Sequence, residues 1–477
     1  MQAPACPHKE NESLIWFFWR KWPRLCNTGG VFLFSSYLRV PKSANVRILI
    51  ITAWYHPFIH PRPHRWTHIA EYWAAEGHTV HVLTARRRDC AKETVKNGVT
   101  IHRTGFDSLK ELFFQVWSEK GARGRAGKAP HAPSWPLRCA TWCYKMFWKN
   151  IFFPDDACVW YFFARKKAFQ LVENQHFDAV ITVSLPFTGQ LLGLALKRRW
   201  PRLRWLSDIG DPFAFTAFPL NNQYLYGRWN RRTEKSALTT ADVAVVTTLH
   251  TATQYEKHYG QAVREKIKVI PPLLHPLPAA SSKRPFRADG QCRIGYFGAL
   301  YAPVRTPDVL LRLIYNTLQT RPRWADLLEV HFYGDIFPEF YDALHACPVV
   351  RLHGLQERNV AQAAMRDMDI LLNIGNQTDF QLPGKVVEYW AAAKPIVNIS
   401  YTHPDPFADF LQGHPAVFHL RVQNGGISKN DFALWLDLLE RGAPALPEAD
   451  YIQGAVQTFS LPFIAASYLQ YLRAPAI

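Results

Sequence analysis

The chain has 477 residues, enough for two or three domains with well-filled cores. Apolar residues make up 48% of the chain and aromatic residues 14%, which excludes a disordered or low-complexity protein. Lys and Arg number 56 against 38 Asp and Glu, and the net charge of +18 predicts an anionic partner. Nucleic acid, phosphorylated ligands and anionic membrane surfaces all meet that description.

Cysteine usage and apolar runs indicate the compartment. The eight cysteines include no Cys-x-x-Cys pair, so neither a disulfide framework nor a zinc site is predicted. The apolar run 14–19 is too short to span a membrane and lacks the flanks of a signal peptide. Proline or polar residues interrupt the longer uncharged runs 179–196 and 452–472. We therefore expect a protein of the reducing cytoplasm.

The first regular elements follow residues 1–44, which we interpret as an N-terminal extension outside the fold. The pattern predicts a strand at 46–55, a loop at 56–65, a helix at 66–76 and a strand at 78–85. Such a βαβ unit requires a parallel strand pair with a right-handed crossover. The alternation returns in strands at 177–183, 203–207 and 242–247 and in helices at 190–197 and 251–259. These elements predict a first α/β domain over residues 45–270.

Residues 271–290 contain five prolines and are predicted to be a linker to a second domain, residues 291–455. Its predicted strands are 292–297, 328–333, 349–352, 369–374 and 395–399, and its predicted helices are 307–318, 338–346, 359–365 and 385–393. Residues 456–474 form an amphipathic pattern typical of a helix on a protein surface. The predicted fold class is α/β, with two doubly wound Rossmann-like domains facing across a cleft, where the carboxyl ends of the strands bind ligands.

The basic excess is concentrated in residues 103–169, which hold twelve Lys or Arg against five Asp or Glu. Aromatic residues are interleaved with these charges, including Trp117, Trp135, Trp142, Trp148 and Trp160. The pattern suits docking on an anionic membrane surface. An insert whose aromatic residues pack on the domain explains it equally well. Nucleic acid is disfavoured because no binding motif is recognisable.

Basic residues near helix starts mark the candidate site in the second domain. Gly298 ends the first strand, and the next loop delivers Arg305 just before a helix, where an anion is favoured. A solvated loop arginine is the alternative. Lys385 lies in the first turn of a helix, the wrong end for a cation unless an anion binds there. Glu388 follows one turn later, so the alternative is an ordinary i, i+3 surface ion pair.

Three further residues lie at the ends of neighbouring predicted strands: Gly334, His353 and Gly354. Glycine at these positions lets a flat ring or a diphosphate approach the backbone closely. Because the strand ends converge on one edge of the sheet, they predict together a nucleotide that carries a diphosphate.

The order of elements resembles the GT-B glycosyltransferases, specifically the sugar-nucleotide-dependent family 4 group, over roughly residues 46–472. The similar segments are 47–51, 55–57, Arg65, 77–84, 177–181, 207–212, Glu234 with 241–243, and 295–298. The most specific match is Leu382–Tyr389 followed by Ala393–Val397.

This resemblance implies roles for individual residues. Arg305 and Lys385 would hold the donor diphosphate and Glu388 the nucleotide ribose. Asp208 or Asp211 would orient or deprotonate the acceptor, although both aspartates are equally explained as helix caps or turn formers. The resemblance also implies retention of anomeric configuration and a last helix that returns to the first domain. No Asp-x-Asp stands in the expected context, so we expect catalysis without a metal or other cofactor.

Two departures from the family pattern are notable. Phe380, with Asp379 beside it, stands where family members often carry the first Glu of Glu-x7-Glu. The first loop, residues 57–63, lacks the paired glycines that are common there. Both changes alter the surroundings of the transferred sugar.

The predicted function is transfer of a sugar from a nucleotide-diphosphate sugar to a glycan or lipid-linked acceptor, in cell-surface polysaccharide synthesis. The expected location is the cytoplasm, with peripheral attachment to the inner face of the membrane. Two alternatives remain open. A nucleotide-sugar epimerase of the same architecture would turn over its donor without a second substrate, and a non-catalytic nucleotide-sugar-binding partner would bind without turnover.

Overall fold

The computed structural model describes residues 45–58, 61–87, 90–106, 152–216, 219–274, 290–442, 454 and 456–473. Residues 1–44, residues 107–151 of the basic aromatic stretch and residues 275–289 of the predicted linker lie outside this description. Four of the five tryptophans named in that stretch therefore lie outside the described residues.

The first domain is built on one eight-stranded sheet. Its strands are β1 (Arg47–Ile51), β2 (Thr79–Ala85), β3 (Glu93–Lys96), β4 (Val99–Thr104), β5 (Ala179–Val183), β6 (Arg204–Asp208), β7 (Val243–Val246) and β8 (Ile267–Val269). Their order is β3-β4-β2-β1-β5-β6-β7-β8, and every pair is parallel except β3 with β4. The central strands β1, β5 and β6 are buried over almost their whole length because helices cover both faces of a doubly wound sheet.

The helices of this domain are α1 (Pro61–Ala75), α2 (Cys158–Asn174), α3 (Thr188–Arg199), α4 (Gln223–Thr240), α5 (Leu249–Tyr259) and α6 (Gln261–Lys266). Helix α1 begins five residues before the predicted start, at a proline, because proline costs little in the first turn, where its missing amide has no partner anyway. Helix α2 occupies the end of the basic aromatic stretch, and its Trp160 is fully buried in the core. For Trp160, packing on the domain is the correct interpretation.

The second domain is built on a seven-stranded sheet. Its strands are β9 (Cys292–Phe297), β10 (Leu328–Tyr333), β11 (Val350–Gly354), β12 (Ile370–Ile374), β13 (Ile396–Ser400), β14 (Val417–Gln423) and β15 (Gly426–Ile427). The order is β11-β10-β9-β12-β13-β14-β15, parallel except for β15. Its α-helices are α7 (Asp308–Thr320), α8 (Trp324–Leu327), α9 (Tyr341–His345), α10 (Arg358–Asp367), α11 (Val386–Ala391), α12 (Pro406–Phe410) and α13 (Lys429–Arg441). The predicted fold class of two doubly wound domains is confirmed.

The last helix, α14 (Leu461–Arg473), packs on the first domain. Ile464, Ala465 and Tyr468 are completely buried in the same core as Trp73 of α1. The Trp73 indole donates a hydrogen bond to the Ala465 carbonyl (3.2 Å). Burying these apolar side chains fixes the C-terminal end of the chain beside α1. None of the helices in the described ranges is long and apolar enough to cross a membrane.

Candidate functional site

Arg305 lies beside the carboxyl end of β9. Its Nε donates to Asn376 Oδ1 at 2.8 Å, in the loop that follows β12. A Cβ placed on Gly298 would lie 3.4 Å from Arg305 Nη1 and 2.9 Å from the Tyr296 hydroxyl. Glycine at 298 thus leaves space for the Tyr296 hydroxyl, and the Arg305 guanidinium lies within ordinary contact distance of the same strand end. Arg305 is seated in the domain and is not a solvated loop arginine.

Lys385 and Arg358 share the carboxylate of Glu388. Lys385 Nζ lies 2.6 Å from Glu388 Oε2, and Arg358 forms an ion pair with Oε1. The i, i+3 pair is therefore formed, but Glu388 is only 1% exposed, whereas both cations remain partly exposed. Two cations with one carboxylate leave an excess positive charge at this edge of the sheet.

Tyr389 places this cluster next to Arg305. The Tyr389 hydroxyl accepts from the Phe297 amide (3.1 Å) and donates to the Leu372 carbonyl (2.9 Å), which fixes α11 over β9 and β12. Tyr389 is close enough to interact electrostatically with both Arg305 and Glu388. The structure thus brings Arg305, Lys385 and Glu388 to the same end of the second sheet.

The other predicted strand-end residues line the same edge. The Gly298 amide donates to the Tyr333 carbonyl and the Gly334 amide to the Gly354 carbonyl, each at 2.9 Å. Gly334 has φ +142°, and a Cβ there would lie 2.1 Å from the Gly298 carbonyl oxygen. Glycine is therefore required at 334 by the neighbouring backbone. The exposed His353 ring stacks on Tyr333 with 4.2 Å between ring centroids.

Asp208, at the end of β6, is buried inside the first domain. Its Oδ2 accepts from Arg62 Nη1 and Trp66 Nε1, both at 2.9 Å, and its Oδ1 accepts from the Tyr468 hydroxyl at 2.7 Å. The carboxylate is 1% exposed. These bonds join β6, α1 and α14, and they occupy both oxygens with partners from the same domain.

Asp211 lies three residues further on and faces the second domain. It is partly exposed, and its Oδ1 accepts from Gln381 Nε2 at 3.1 Å. Of the two candidate aspartates, Asp211 is the one that the structure places at the cleft.

The loop that carries Asp211 is held by Glu234 of α4, a fully buried carboxylate. Burial raises the pKa of Glu234, against the effect of the hydrogen bonds it accepts. The donors are the amides of Phe213 (2.6 Å) and Ala214 (3.1 Å) and the hydroxyls of Tyr255 (2.7 Å) and Tyr259 (2.8 Å). In the sequence Glu234 stands out only within the resemblance, and its supporting role follows from these long-range contacts.

Phe380 contacts the first domain instead of carrying a carboxylate into the site. Its carbonyl accepts from the hydroxyls of Thr248 (3.3 Å) and Thr251 (3.1 Å), and its ring packs edge-on against Phe215. Asp379 accepts from Gln254 Nε2 at 3.1 Å. The segment at the first position of Glu-x7-Glu is thus an interdomain contact in this chain.

Two histidines of α1 face the Glu388 cluster, and the sequence patterns did not identify them. The rings of His64 and His68 lie 4.5 Å apart. Burial lowers the pKa of both, and the positive charge of Arg358 lowers it further. Residues four apart on a helix lie on the same face. A predicted helix beginning at Pro61 would therefore have placed His64 and His68 side by side.

The described residues contain no group of three or more His, Cys, Asp or Glu side chains that could hold a metal ion. Catalysis without a metal stays a prediction. Activity measured with and without divalent ions tests it.

Solved structures share this architecture over nearly their whole length. Sucrose-phosphate synthase from Thermosynechococcus elongatus superposes with a TM-score of 0.59 at 13% identity, over 90% of this chain and 98% of that one. Anabaena HepE in complex with UDP-glucose gives 0.54 at 13% identity, over 90% and 99%. WaaG, a glycosyltransferase involved in lipopolysaccharide biosynthesis, gives 0.51 at 12% identity, over 90% and 100%.

The fold of this chain is therefore the GT-B fold, as the resemblance implied. Neither the comparison with protein-family models nor that with curated protein sequences gives a match. Identities of this size show a shared fold alone, so assignment to family 4 stays a prediction.

Proposed function

We propose that this protein is a glycosyltransferase that uses a nucleoside-diphosphate sugar as donor. The observation that carries the proposal is the placement of Arg305 and Lys385 at the carboxyl end of the second sheet, with Asp211 facing that domain from the first. Preorganised positive groups stabilise the charge that develops on a leaving diphosphate, an effect of about 3–4 kcal/mol per good donor. UDP-sugars are the first candidates, because the similarly folded HepE binds UDP-glucose.

The proposed step breaks the bond between the anomeric carbon and the β-phosphate oxygen, and the electron pair of that bond leaves with the nucleoside diphosphate. An acceptor hydroxyl oxygen forms the new bond to the anomeric carbon. Its proton passes to the Asp211 carboxylate. Glu388 is proposed to accept hydrogen bonds from the ribose hydroxyls, and His353 and the strand-end glycines are proposed to border the nucleotide.

The finer features of the reaction rest on the resemblance. We include in the proposal a hexosyl donor, retention of anomeric configuration and activity without metal or cofactor. Proton NMR of the product's anomeric centre distinguishes retention from inversion, and activity in chelator tests the metal.

We also propose a glycan or lipid-linked acceptor and docking of the first domain on an anionic membrane surface. Exposed aromatic and apolar side chains on α4 support this, since Tyr224 is fully exposed, Leu225 61% and Trp229 58%. Exposed Arg228 and Arg232 lie on the same helix. An apolar and basic helix face binds the interface of anionic bilayers.

Liposome flotation tests this docking. We expect wild type to float with vesicles of phosphatidylcholine and phosphatidylglycerol but not with phosphatidylcholine alone, and Trp229→Ser to float less. Leu434→Ser, which replaces an exposed apolar residue on α13 of the second domain without changing the charge, is the control. Equal binding of wild type to neutral vesicles would contradict the electrostatic part of the proposal.

Release of UDP from a panel of UDP-sugars, with and without glycan and lipid-linked acceptors, tests the reaction itself. We expect acceptor-dependent release of UDP and a product that contains both sugar and acceptor. Interconversion of donor sugars without an acceptor would instead show an epimerase. UDP binding with no turnover of any donor would show a binding protein.

A further inference from the structure

We infer that Gln381 is a positioning residue: its side-chain amide holds the Asp211 carboxylate across the cleft and joins it to the arginine of the donor site. The inference rests on the proposed function, because it assigns Gln381 a part in the same transfer step. In the sequence, the position before Gln381 is Phe380, which is notable only because the first Glu of the family motif is missing there.

A short series of hydrogen bonds leads from Arg305 towards Gln381. Arg305 Nε donates to Asn376 Oδ1 (2.8 Å), and Asn376 Nδ2 donates to the Gln381 carbonyl (3.0 Å). The Gln377 amide also donates to the Val304 carbonyl (3.0 Å). The loop after β12 is therefore held against the loop that carries Arg305, and a shift of one loop moves the other.

The orientation of the Gln381 side chain is fixed at both ends of its amide. Nε2 donates to Asp211 Oδ1 (3.1 Å), and Oε1 accepts from the Thr378 hydroxyl (3.1 Å). Since an ionised carboxylate only accepts hydrogen bonds, the nitrogen must face Asp211. Gln381 thus holds the Asp211 carboxylate in one orientation at the cleft.

Asp211 is consequently supported from two directions. Glu234 fixes the backbone of its loop from within the first domain, through the Phe213 and Ala214 amides. Gln381 fixes the carboxylate itself from the second domain. Because the Gln381 contact crosses the cleft, the position of the carboxylate depends on how the two domains meet and, through Asn376, on the position of Arg305.

The neighbouring contacts of the same loop provide a matched control. Asp379 accepts from Gln254 Nε2, which also crosses the cleft but does not touch Asp211. A general effect of loosening the interdomain contact would appear in Gln254→Ala as well as in Gln381→Ala. An effect specific to Asp211 would appear only in Gln381→Ala.

The experiment compares wild type, Gln381→Ala, Gln254→Ala, Asp211→Asn and the double variant Asp211→Asn/Gln381→Ala. The rate of UDP release is measured with the UDP-sugar that wild type turns over fastest, and UDP affinity is measured by calorimetry. We expect Gln381→Ala to lower kcat by about 10- to 100-fold, the size expected for a misplaced catalytic group. We expect its UDP affinity to stay within about twofold, and Gln254→Ala to lose less than about threefold in kcat.

The double variant separates positioning from a general structural effect. Once Asp211 is replaced, removal of Gln381 should lower kcat by less than about twofold more, because the group that it positions is gone. Effects that multiply, an unchanged kcat in Gln381→Ala, an equal loss in Gln254→Ala or a loss of UDP binding in Gln381→Ala would each overturn the inference and leave the proposed function intact. Failure of wild type to release UDP from any donor would overturn the proposed function, and the inference with it.

Discussion

The two aspartates at the end of β6, Asp208 and Asp211, lie in different surroundings. Asp208 lies in the interior of the first domain, where Arg62, Trp66 and Tyr468 occupy its oxygens. Asp211 lies at the cleft, and its carboxylate accepts from Gln381 of the other domain. Both follow a strand end, so position along the strand does not distinguish them. The elements packed around each carboxylate decide which one is buried among the elements of one domain and which one lies at the cleft.

The largest expected effect distinguishes Asp211 from Asp208 by the rate of sugar transfer. Asp211→Asn should lower the rate of sugar transfer by about 10²- to 10⁴-fold, because the amide cannot accept the acceptor proton. The free energy of unfolding should change by no more than about 0.5 kcal/mol, since the side chain is partly exposed. Transfer assays and urea denaturation measure the two quantities. An active Asp211→Asn enzyme would remove Asp211 from the mechanism.

The next largest effect distinguishes Asp208 from Asp211 by the free energy of unfolding. Asp208→Ala should lower the free energy of unfolding by about 3 kcal/mol, because it leaves the Arg62 charge and the donors of Trp66 and Tyr468 without their acceptor. Urea denaturation with tryptophan fluorescence measures the loss. Asp211→Ala serves as the comparison. Wild-type stability in Asp208→Ala, together with lost transfer activity, would reverse the roles of the two aspartates.

A smaller effect concerns the pH dependence of stability and a third carboxylate of the first domain, that of Asp155. Asp155 is buried and accepts from the Thr188 hydroxyl (2.6 Å), the Thr188 amide (3.0 Å) and the Ala157 amide (3.1 Å). Burial raises its pKa from 3.8 to about 6. Between these two values the folded state binds the proton more tightly than the unfolded state, so the contribution of Asp155 to stability falls as pH rises.

The stability of wild type minus that of Asp155→Asn should therefore decrease as pH rises from about 4 to about 6 and level off above that range. Thermal denaturation of both proteins at several pH values measures this difference. Taking the difference removes the opposite slope from the partly buried His81 and the buried His414, whose pKa values desolvation lowers to about 4. A flat difference would show that Asp155 has an ordinary pKa.

Much of the fold and part of the site could be predicted from the sequence. The buried strands are short apolar runs, and the carboxyl ends of parallel strands share one edge, which places Arg305, Lys385 and Glu388 together. Helix α4 and the β3–β4 hairpin were missed, although Asn222 caps α4 and an Asn97-Gly98 turn with positive φ joins the hairpin. Both signals were present in the sequence.

The assignment of the aspartates could not be predicted in the same way. The Tyr468 partner of Asp208 lies 260 residues away along the chain, and the Gln381 partner of Asp211 lies 170 residues away. No local pattern encodes such pairs. The same holds for Phe380, whose contacts with Thr248 and Thr251 depend on how the two domains meet.

The central claim is that positive groups of the second domain bind a nucleoside diphosphate, and calorimetric titration with UDP tests it most directly. We predict binding by wild type and about 10- to 100-fold weaker binding by Arg305→Ala and by Lys385→Ala, the loss expected for a charged hydrogen-bond donor. Lys429→Ala, an exposed lysine at the start of α13, should bind as wild type does. If wild type does not bind UDP, or if all three variants bind it equally well, the account is contradicted.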